Sequence, residues 1–490
     1  MFALNKHRNI GENPIFVKMK NTLPTLIIGA GPVGLAAAAQ LELRNEPYIV
    51  VEAGKQVGAS IRKWAHVPVF SPWRYMVDEA ARALLVQNHW IAPDDEGYPT
   101  GGEFVRQYLE PLAAVPAIHK NLRLNTRVTS VARVGYDKLK SRTGKAQREN
   151  APFMVMFEMQ NADGNLSEGQ ILAKAVIDAS GTYESPNPLG ASGVPALGER
   201  ANASHIFYGI PAVLGQDRAR YANKQVLVVG SGHSAFNVMI ELVKLAQSEP
   251  NTQIEWAIRR SDFGQMFGGL SDDQLAARGE LGANVKRLID NGTVKLHMGF
   301  KIAQLAQVGA QVAVSADDGR VVQVDEIVAC TGFRPNLDML RELRLDLDDR
   351  NEAPRALAGS IDPNLHSCGS VPPHGYSELK HEAEPGFYIV GMKSYGRAPT
   401  FLMLTGYEQV RSITAAIAGD MKAALDVRLV LPETGVCNAG LGGISTCCSV
   451  DPAIGATVEQ TSDCGCNTGC CATPADSKVS KLISIDSLFG

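Results

Sequence analysis

A glycine-rich turn near the start of the chain has the spacing needed to hold a pyrophosphate. Gly29, Gly31 and Gly34 follow the apolar run TLII in a G-x-G-x-x-G pattern. One glycine of this pattern permits a tight turn, a second lets backbone N–H groups approach phosphate, and the third allows close helix–strand packing. Glu52 ends the next apolar run, where a carboxylate can accept hydrogen bonds from ribose hydroxyls. Together these residues predict a dinucleotide-binding turn.

A second turn of the same design occurs later, in the run VLVVGSGHSAFN. Its glycine positions are filled by Gly230, Gly232 and Ala235, and alanine is allowed in the third position. The following apolar run ends at Arg259 and Arg260 instead of an acid. Guanidinium groups match a phosphate bidentately, so these arginines favour the 2′-phosphate of NADPH over the free hydroxyl of NADH. The alternative is that both arginines are simply exposed to solvent at the end of a strand.

The nine cysteines are distributed very unevenly along the chain. Only Cys330 and Cys368 precede residue 430, and six of the others form close pairs near the end: Cys447, Cys448, Cys464, Cys466, Cys470 and Cys471. Close thiolate pairs chelate soft metal ions, and trivalent arsenic has the same preference. The C-terminal cysteines therefore form a candidate metal(loid) site, with a metallothionein-like scavenger or a non-specific tail as the alternative.

The elements expected around these turns indicate the fold class. Residues 23–39 and the segment from Gln225 each predict strand, glycine turn and helix, and further helices are expected at about 76–90 and 401–418. The charged stretch 136–150 predicts a mobile surface loop. Two such βαβ units predict an α/β protein with two Rossmann-like, three-layer dinucleotide-binding domains.

Composition excludes several classes of protein. The chain has 490 residues, 45% of them hydrophobic, and its 47 basic and 51 acidic residues give a net charge of −4. The chain has no excess of basic residues that would indicate nucleic acid or a membrane surface as a partner. No uninterrupted apolar run is long enough for a membrane span, and residues 1–22 lack the hydrophobic core of a signal peptide. We expect a cytoplasmic protein with a loose leader, and the sequence makes no prediction of its oligomeric state.

Several further motifs resemble a known family. The strand ends Asp178-Ala179-Ser180-Gly181 and Ala329-Cys330-Thr331-Gly332-Phe333 are similar to those of flavoproteins with two dinucleotide domains, and within these to the flavin-containing (class B) monooxygenases. The runs RKWAHVPVFSPWRYMVD, GFRPN and VGMKSYGRAPTFL, with the cysteine-rich tail, look most like the ArsO-type monooxygenases of arsenic-resistance gene clusters. The resemblance implies FAD at the first turn, NADPH at the second, and cofactor contacts at Gly181, Gly332 and Gly391.

The resemblance also implies a domain order, with the NADPH domain inserted into the FAD domain. The expected units are a leader at 1–22, the first part of the FAD domain at 23–205, the NADPH domain at 206–334, the second part of the FAD domain at 335–430, and a flexible cysteine-rich tail at 431–490. One departure concerns the family's Phe-x-Gly-x-x-x-His run, because Gly198 and His205 stand further apart here.

The loop after the Glu52 strand supplies the candidate catalytic residues, since the family's chain passes the flavin ring there. They are Trp64, His66, Ser71, Trp73 and Arg74. Tryptophan and arginine could wall the site and neutralise flavin charge, and His66 is the one group of the loop that titrates near neutral pH. The alternative for each is ordinary packing in a buried loop. Lys393 and Arg397 are further candidates for contact with phosphate or substrate, with exposure to solvent as the alternative.

These expectations combine into three functional hypotheses. The first is an FAD-dependent, NADPH-oxidising monooxygenase that acts through a flavin peroxide on a soft small-molecule substrate, with a trivalent arsenical as the candidate and molecular oxygen as co-substrate. The second is an NADPH-dependent metal(loid) or disulfide reductase that uses the C-terminal vicinal cysteines. The third is a non-catalytic, metal(loid)-binding flavoprotein.

Overall fold

The computed structural model describes residues 23–69, 71–140, 145–160, 163–262, 276–365, 371–399 and 401–429. The expected leader and the cysteine-rich tail lie outside these ranges. Within them, helices and strands alternate in two successive stretches, which is the order expected for two βαβ-based units.

Sixteen strands occur in the ranges that the structure describes, and most are short. They are β1 (Thr25–Ile28), β2 (Tyr48–Val51), β3 (Leu122–Arg123), β4 (Thr126–Arg133), β5 (Phe153–Gln160), β6 (Leu166–Ala173), β7 (Ala175–Asp178), β8 (Ile206–Tyr208), β9 (Gln225–Val229), β10 (Gln253–Ala257), β11 (Val294–His297), β12 (Ile302–Val308), β13 (Gln311–Ala316), β14 (Val321–Val324), β15 (Glu326–Ala329) and β16 (Phe387–Ile389).

Fourteen α-helices occur in the same ranges. They are α1 (Pro32–Leu43), α2 (Ala59–Arg62), α3 (Glu79–Gln87), α4 (Gly101–Phe104), α5 (Glu110–Ala114), α6 (Pro116–His119), α7 (Lys145–Asn150), α8 (Arg218–Tyr221), α9 (His233–Ser248), α10 (Ala276–Asp290), α11 (Arg355–Ala358), α12 (Tyr376–Leu379), α13 (Met403–Ile417) and α14 (Met421–Leu425). A 3₁₀ turn at Gly391–Tyr395 precedes α13.

The first unit is built on a parallel five-stranded sheet in the order β16-β7-β1-β2-β3. Helix α1 follows β1 directly, and its run of four alanines is fully buried. These small side chains let α1 approach its neighbours closely, and a Cβ on Gly406 of α13 would lie 2.6 Å from Val33 Cγ2. The N-terminal turn of α1 is therefore fixed by the sheet on one side and by α13 on the other.

The second unit repeats the design with a parallel sheet in the order β11-β10-β9-β15-β8. Val228 and Trp256 are fully buried on the face that packs with α9. Leu227 and Ile327, on the other face, pack against the antiparallel sheet β12-β13-β14. The residues of β9 that point to either face of the sheet are apolar, as expected for a parallel strand covered on both sides. The predicted fold class, with two Rossmann-like units, is confirmed.

The stretch 136–150 differs from its prediction. Its last residues, Lys145–Asn150, form α7, and Arg148 is fully buried. The Arg148 guanidinium donates to Glu384 Oε2 at 2.7 Å, while Arg133 of β4 donates to Glu384 Oε1 at 2.6 Å. This buried cluster ties the insertion to the loop before β16. The expectation of a surface loop is wrong for residues 145–150, because a distant carboxylate supplies the partner that a buried arginine requires.

Two segments connect the units and run side by side. Pro186 and Phe333 form an antiparallel bridge, and the Tyr183 and Phe333 rings stack with centroids 4.8 Å apart. The Asn187 side chain donates to the carbonyl of Thr331 at 3.1 Å, and the Thr331 hydroxyl donates to the carbonyl of Asn187 at 2.5 Å. The segments that follow β7 and β15 therefore support each other where the chain crosses between the units.

Candidate functional site

The first glycine turn has one open position between two closed ones. Gly29 has φ +101°, and a Cβ there would lie 2.7 Å from the Ala179 carbonyl oxygen. A Cβ on Gly34 would lie 2.0 Å from the Gly29 carbonyl oxygen. At Gly31, which precedes α1, a Cβ would meet nothing within 4 Å. The outer glycines are thus required by the fold, and the middle one leaves space beside N–H groups that have no acceptor within the helix.

Glu52 braces this turn from the end of β2. Its Oε2 accepts from the Ala30 N–H at 2.7 Å, and its Oε1 accepts from the Gly54 N–H at 2.7 Å. The residue is only 9% exposed. A carboxylate has about four acceptor positions. It can therefore hold the turn and still accept from ribose hydroxyls, so the fit of a dinucleotide to Gly31 and Glu52 is good.

A buried ion pair lies beside the first turn. Lys393 Nζ donates to Asp178 Oδ2 at 2.7 Å and to Ser180 Oγ at 3.0 Å, and both charged side chains are at most 1% exposed. The alternative of solvent exposure for Lys393 is wrong, contact with phosphate or substrate stays a prediction, and Asp178 was not predicted as its partner. A lysine inside the apolar run before α13 was the available signal, since buried lysines need a charged partner. The pair joins the end of β7 to the Gly391 turn.

The second glycine turn shows the same close approach. A Cβ on Gly230 would lie 2.1 Å from the Cys330 carbonyl oxygen, so the turn passes directly over the end of β15. Gly232 precedes α9 with an extended backbone, and Ala235 is fully buried inside that helix. Trp256 Nε1 donates to the Gly230 carbonyl at 2.6 Å and anchors the turn to β10. These residues fit a second dinucleotide.

The two arginines follow β10 after Ile258, and each is at least partly exposed. Arg259 is exposed, and its Nη1 donates to the Ala191 carbonyl at 3.3 Å. Arg260 is half-buried, and its carbonyl accepts from the Gly299 N–H at 2.6 Å. Both side chains therefore lie at the edge of the second unit, where a soluble anion can reach them. Their contact with a 2′-phosphate stays a prediction.

Four of the five loop candidates are held mainly by neighbouring protein groups. Trp64 is 5% exposed and covers Gly101, and Trp73, also 5% exposed, packs on the Phe104 ring with centroids 6.0 Å apart. Ser71 is buried. Arg74 pairs with Glu96 and lies over the Tyr75 ring. The two tryptophans form the buried core of this loop. The contacts of these four residues are those of a packed loop and do not identify a set of reactive groups.

His66 differs from the other loop candidates because it reaches the second unit. Burial lowers its pKa, opposed by a hydrogen bond to the Pro211 carbonyl and by the charge of Asp217. Among the described residues, no hydrogen-bond partner lies at its buried Nε2. The imidazole thus joins the loop of the first unit to the segment after β8, and its Nε2 is buried without a partner among these residues.

Cys330 is the single cysteine within the described ranges, and it is buried and free. Burial raises the pKa of its thiol, so the reactive thiolate is disfavoured. The predicted ligands Cys447, Cys448, Cys464, Cys466, Cys470 and Cys471 lie outside the described residues. Among those the structure does describe, no group of three or more His, Cys, Asp or Glu side chains is placed to hold a metal ion.

The segment with Gly198 and His205 attaches to the antiparallel sheet of the second unit. A Cβ on Gly198 would lie 2.1 Å from the Leu305 carbonyl oxygen, and His205 Nδ1 lies 2.8 Å from the Asp325 carbonyl oxygen. Glu199 accepts from the Tyr208 hydroxyl at 2.5 Å. These contacts explain the glycine and histidine through packing within the second unit.

Comparison with protein families supports this interpretation of the two turns. Residues 27–92, which include the first turn and Glu52, match the NAD(P)-binding Rossmann-like domain. Residues 164–357, which include the second turn, match the pyridine nucleotide-disulphide oxidoreductase family. Each model covers less than half of the chain. None of the helices in the described ranges has the length and apolar character to cross a bilayer.

Curated relatives include both oxygenases and reductases. The flavin-containing monooxygenase FMO GS-OX-like 8 of Arabidopsis thaliana is 24% identical over 369 residues, which cover 70% of this chain and 69% of the relative. A ferredoxin–NADP reductase of Salinispora arenicola is 28% identical over 209 residues, 42% of this chain and 56% of the relative. The chain thus spans about half the length of the second relative. Together the two similarities support the conclusion that the chain is a flavoprotein oxidoreductase similar to flavin monooxygenases.

Solved structures share the arrangement of the two units. The bacillithiol disulfide reductase Bdr of Bacillus cereus superposes with a TM-score of 0.58 at 20% identity, covering 81% of this chain and 99% of that one. This similarity shows the fold, whereas the two glycine turns, the family matches and the flavin-containing curated relative decide the cofactors. They are FAD and NADPH.

Proposed function

We propose that this chain is an NADPH-oxidising flavoprotein monooxygenase that acts on a soft small-molecule substrate. The observation that carries the proposal is the pairing of two dinucleotide turns with a described region whose single cysteine is buried and unreactive. A reductase that relays electrons through thiols beside the flavin needs an accessible thiolate. Molecular oxygen is an acceptor that requires no thiol in this region.

The chain's own residues have distinct tasks in this proposal. Gly31 leaves the space for the FAD pyrophosphate, Glu52 accepts from its ribose, and Arg259 and Arg260 select the phosphorylated nicotinamide cofactor. When bound, FAD supplies the two-electron chemistry and the activation of oxygen. Trp64 and Trp73 keep water out of the loop beside it.

His66 is the candidate for moving a proton. The Pro211 carbonyl raises the pKa of the imidazole, and the buried Nε2 has no hydrogen-bond partner among the described residues, so we assign Nε2 as the nitrogen that accepts the proton. Burial disfavours the protonated form, so this nitrogen is unprotonated at neutral pH. A role for Ser71 and Arg74 in substrate contact also stays part of the proposal.

The soft substrate is proposed to be a trivalent arsenical. Support comes from the six closely spaced cysteines of the tail, since trivalent arsenic and thiolates form stable bonds, and from the resemblance to ArsO-type monooxygenases. The tail would capture the metalloid and raise its concentration near the flavin. A cytoplasmic location is part of the same proposal.

Oxygen stoichiometry tests the proposal directly. NADPH oxidation, oxygen consumption and product are measured with trivalent arsenicals, thiols and amines, in air and under anaerobic conditions. A monooxygenase consumes one oxygen and one NADPH for each oxygenated product and stops without oxygen. Oxygen uptake that yields only hydrogen peroxide with every substrate would contradict it.

The second candidate is a reductase that uses the tail cysteines. Cys464, Cys466, Cys470 and Cys471 are close enough in sequence to form dithiols, which favours this alternative. It predicts turnover without oxygen that is lost when residues 431–490 are removed. A metal(loid)-binding protein without catalysis would show yellow colour and no NADPH oxidation with any acceptor.

A further inference from the structure

The turn that carries Gly391 rests on a buried cluster of polar side chains. His374, Ser394, Tyr395 and Gln409 are each at most 1% exposed. They come from the loop before α12, from the turn itself and from α13. Because buried polar groups are costly unless they are hydrogen-bonded, each must find its partner inside the cluster.

The backbone of Gly391 fixes the orientation of the Gln409 amide. Gln409 Oε1 accepts from the Gly391 N–H at 2.8 Å. A flipped amide would place its NH₂ group against an N–H that can only donate. Gln409 Nε2 therefore donates to Ser394 Oγ at 3.0 Å, and the Ser394 hydroxyl donates to the Gly391 carbonyl at 2.8 Å. The side chains close a ring of hydrogen bonds on the turn.

The Gln409 amide in turn fixes the position of the proton on His374. Its Nε2 lies 3.2 Å from Gln409 Nε2, which donates, so this ring nitrogen must accept. Its Nδ1 lies 2.9 Å from the Pro372 carbonyl oxygen and therefore carries the hydrogen. The Tyr395 hydroxyl lies 3.4 Å from the same Nε2. A protonated imidazole would oppose an N–H to the amide NH₂ group, so the cluster requires a neutral His374.

Burial and the groups around His374 shift its pKa in opposite directions. Burial lowers its pKa, whereas the Pro372 carbonyl, Glu378 of α12 and Glu408 of α13 raise it. Glu408 is neutralised by Arg411 of the same helix. On the turn, Lys393 is paired with Asp178. The neutral imidazole is therefore stable at neutral pH and is lost as the pH falls.

The cluster lies directly behind the predicted FAD site. A Cβ on Gly391 would lie 3.2 Å from Val33 Cγ2, and Val33 stands two residues after the open position at Gly31. We propose that His374 and Gln409 are positioning residues for FAD. The neutral imidazole holds the Gln409 amide, the amide holds the Gly391 turn, and the turn holds the start of α1. This inference rests on the proposed FAD site, although neither residue has to touch the cofactor.

Three variants of the holoprotein test the inference through FAD release on dilution, followed by flavin fluorescence. His374→Leu leaves a buried amide donor without its acceptor, and we expect the FAD dissociation constant to rise about tenfold. His374→Gln restores an oxygen acceptor and should stay within about threefold of wild type. His381→Leu is the matched control, because His381 is also buried but accepts from the Asp346 N–H and packs on Phe387.

The pH profile separates positioning from general stability. Wild-type FAD affinity should be constant near neutral pH and fall in acid, below the ordinary histidine pKa of about 6.5, because protonation breaks the Gln409 contact. His374→Gln should lack this decrease. Equal losses of affinity in His374→Leu and His381→Leu, or an unchanged acid decrease in His374→Gln, would overturn the inference. Wild-type protein that binds no FAD would instead refute the cofactor site, and oxygen stoichiometry tests the proposed reaction separately.

Discussion

The two glycine turns share one design, but the rest of the chain closes on them differently. The first is enclosed by the Ala179 carbonyl, by Glu52 and by the buried pair of Lys393 and Asp178. The second is followed by the exposed Arg259, whose guanidinium donates to the carbonyl of a surface loop. The difference is what we expect if FAD stays bound while NADPH enters and leaves in every turnover.

The largest effect should follow from a side chain at the open glycine of the first turn. Gly31→Val should abolish FAD binding, because the side chain meets no protein atom at its Cβ and fills the pyrophosphate space instead. The measurement is the flavin absorbance of the purified protein. Gly34→Ala is the control, since its Cβ would strike the Gly29 carbonyl and should lower the melting temperature. A yellow Gly31→Val protein would disprove the assignment of this turn.

The next effect concerns the enclosure of the first turn. Lys393→Met leaves Asp178 buried without its cation, and the free energy of unfolding should fall by about 3–5 kcal/mol. Urea unfolding measures it. Lys286→Met breaks an exposed pair with Asp290 and should change the free energy of unfolding by about 0.5 kcal/mol or less. Similar values for the two variants would mean that the first turn is no better enclosed than the surface.

A smaller effect is expected at the two arginines that follow the second turn. Replacing Arg259 and Arg260 together by alanine should raise the KM for NADPH about tenfold or more while changing that for NADH little, because two charged donors to the 2′-phosphate are lost. Steady-state kinetics with both cofactors measures the ratio. FAD content should stay at the wild-type level, because the arginines lie in the other unit. An unchanged preference removes the specificity assignment.

The smallest effect should appear where the two units meet. His66→Gln removes a titrating group whose pKa lies below its ordinary value because of burial. In wild type, anaerobic flavin reduction by NADPH should be constant at neutral pH and slow as the pH falls through the lowered pKa, because a charged Nε2 is then buried without an acceptor. The variant should lose this dependence, with a change of about threefold in rate at neutral pH. A stopped-flow pH series would show whether the decrease persists.

Local patterns carried the prediction of both turns. Gly29, Gly34 and Gly230 are recognisable in the sequence because each close approach excludes any side chain, and the neighbouring apolar runs place them at strand ends. The fold class could therefore be predicted, while Arg259 and Arg260 favoured NADPH and the family resemblance implied FAD. The domain bounds and the roles of the loop residues stay predictions.

Contacts between distant segments were beyond the sequence. Arg148 in the charged insertion gives no local sign that Glu384 will bury it, and the stretch was expected to be a loop. His374 and Gln409 are ordinary polar residues until α13 and the loop before α12 bring them within 3.2 Å. Such pairs have no fixed spacing, because their meeting depends on how whole elements pack.

The sequence by itself determined where the backbone can approach a phosphate, since glycine is the only residue without a side chain to exclude one. The tertiary structure alone decided how tightly each site is held. Burial raises the cost of every unpaired charge and polar group, so the residues that secure the first turn are those whose partners lie far along the chain, at Asp178, His374 and Gln409.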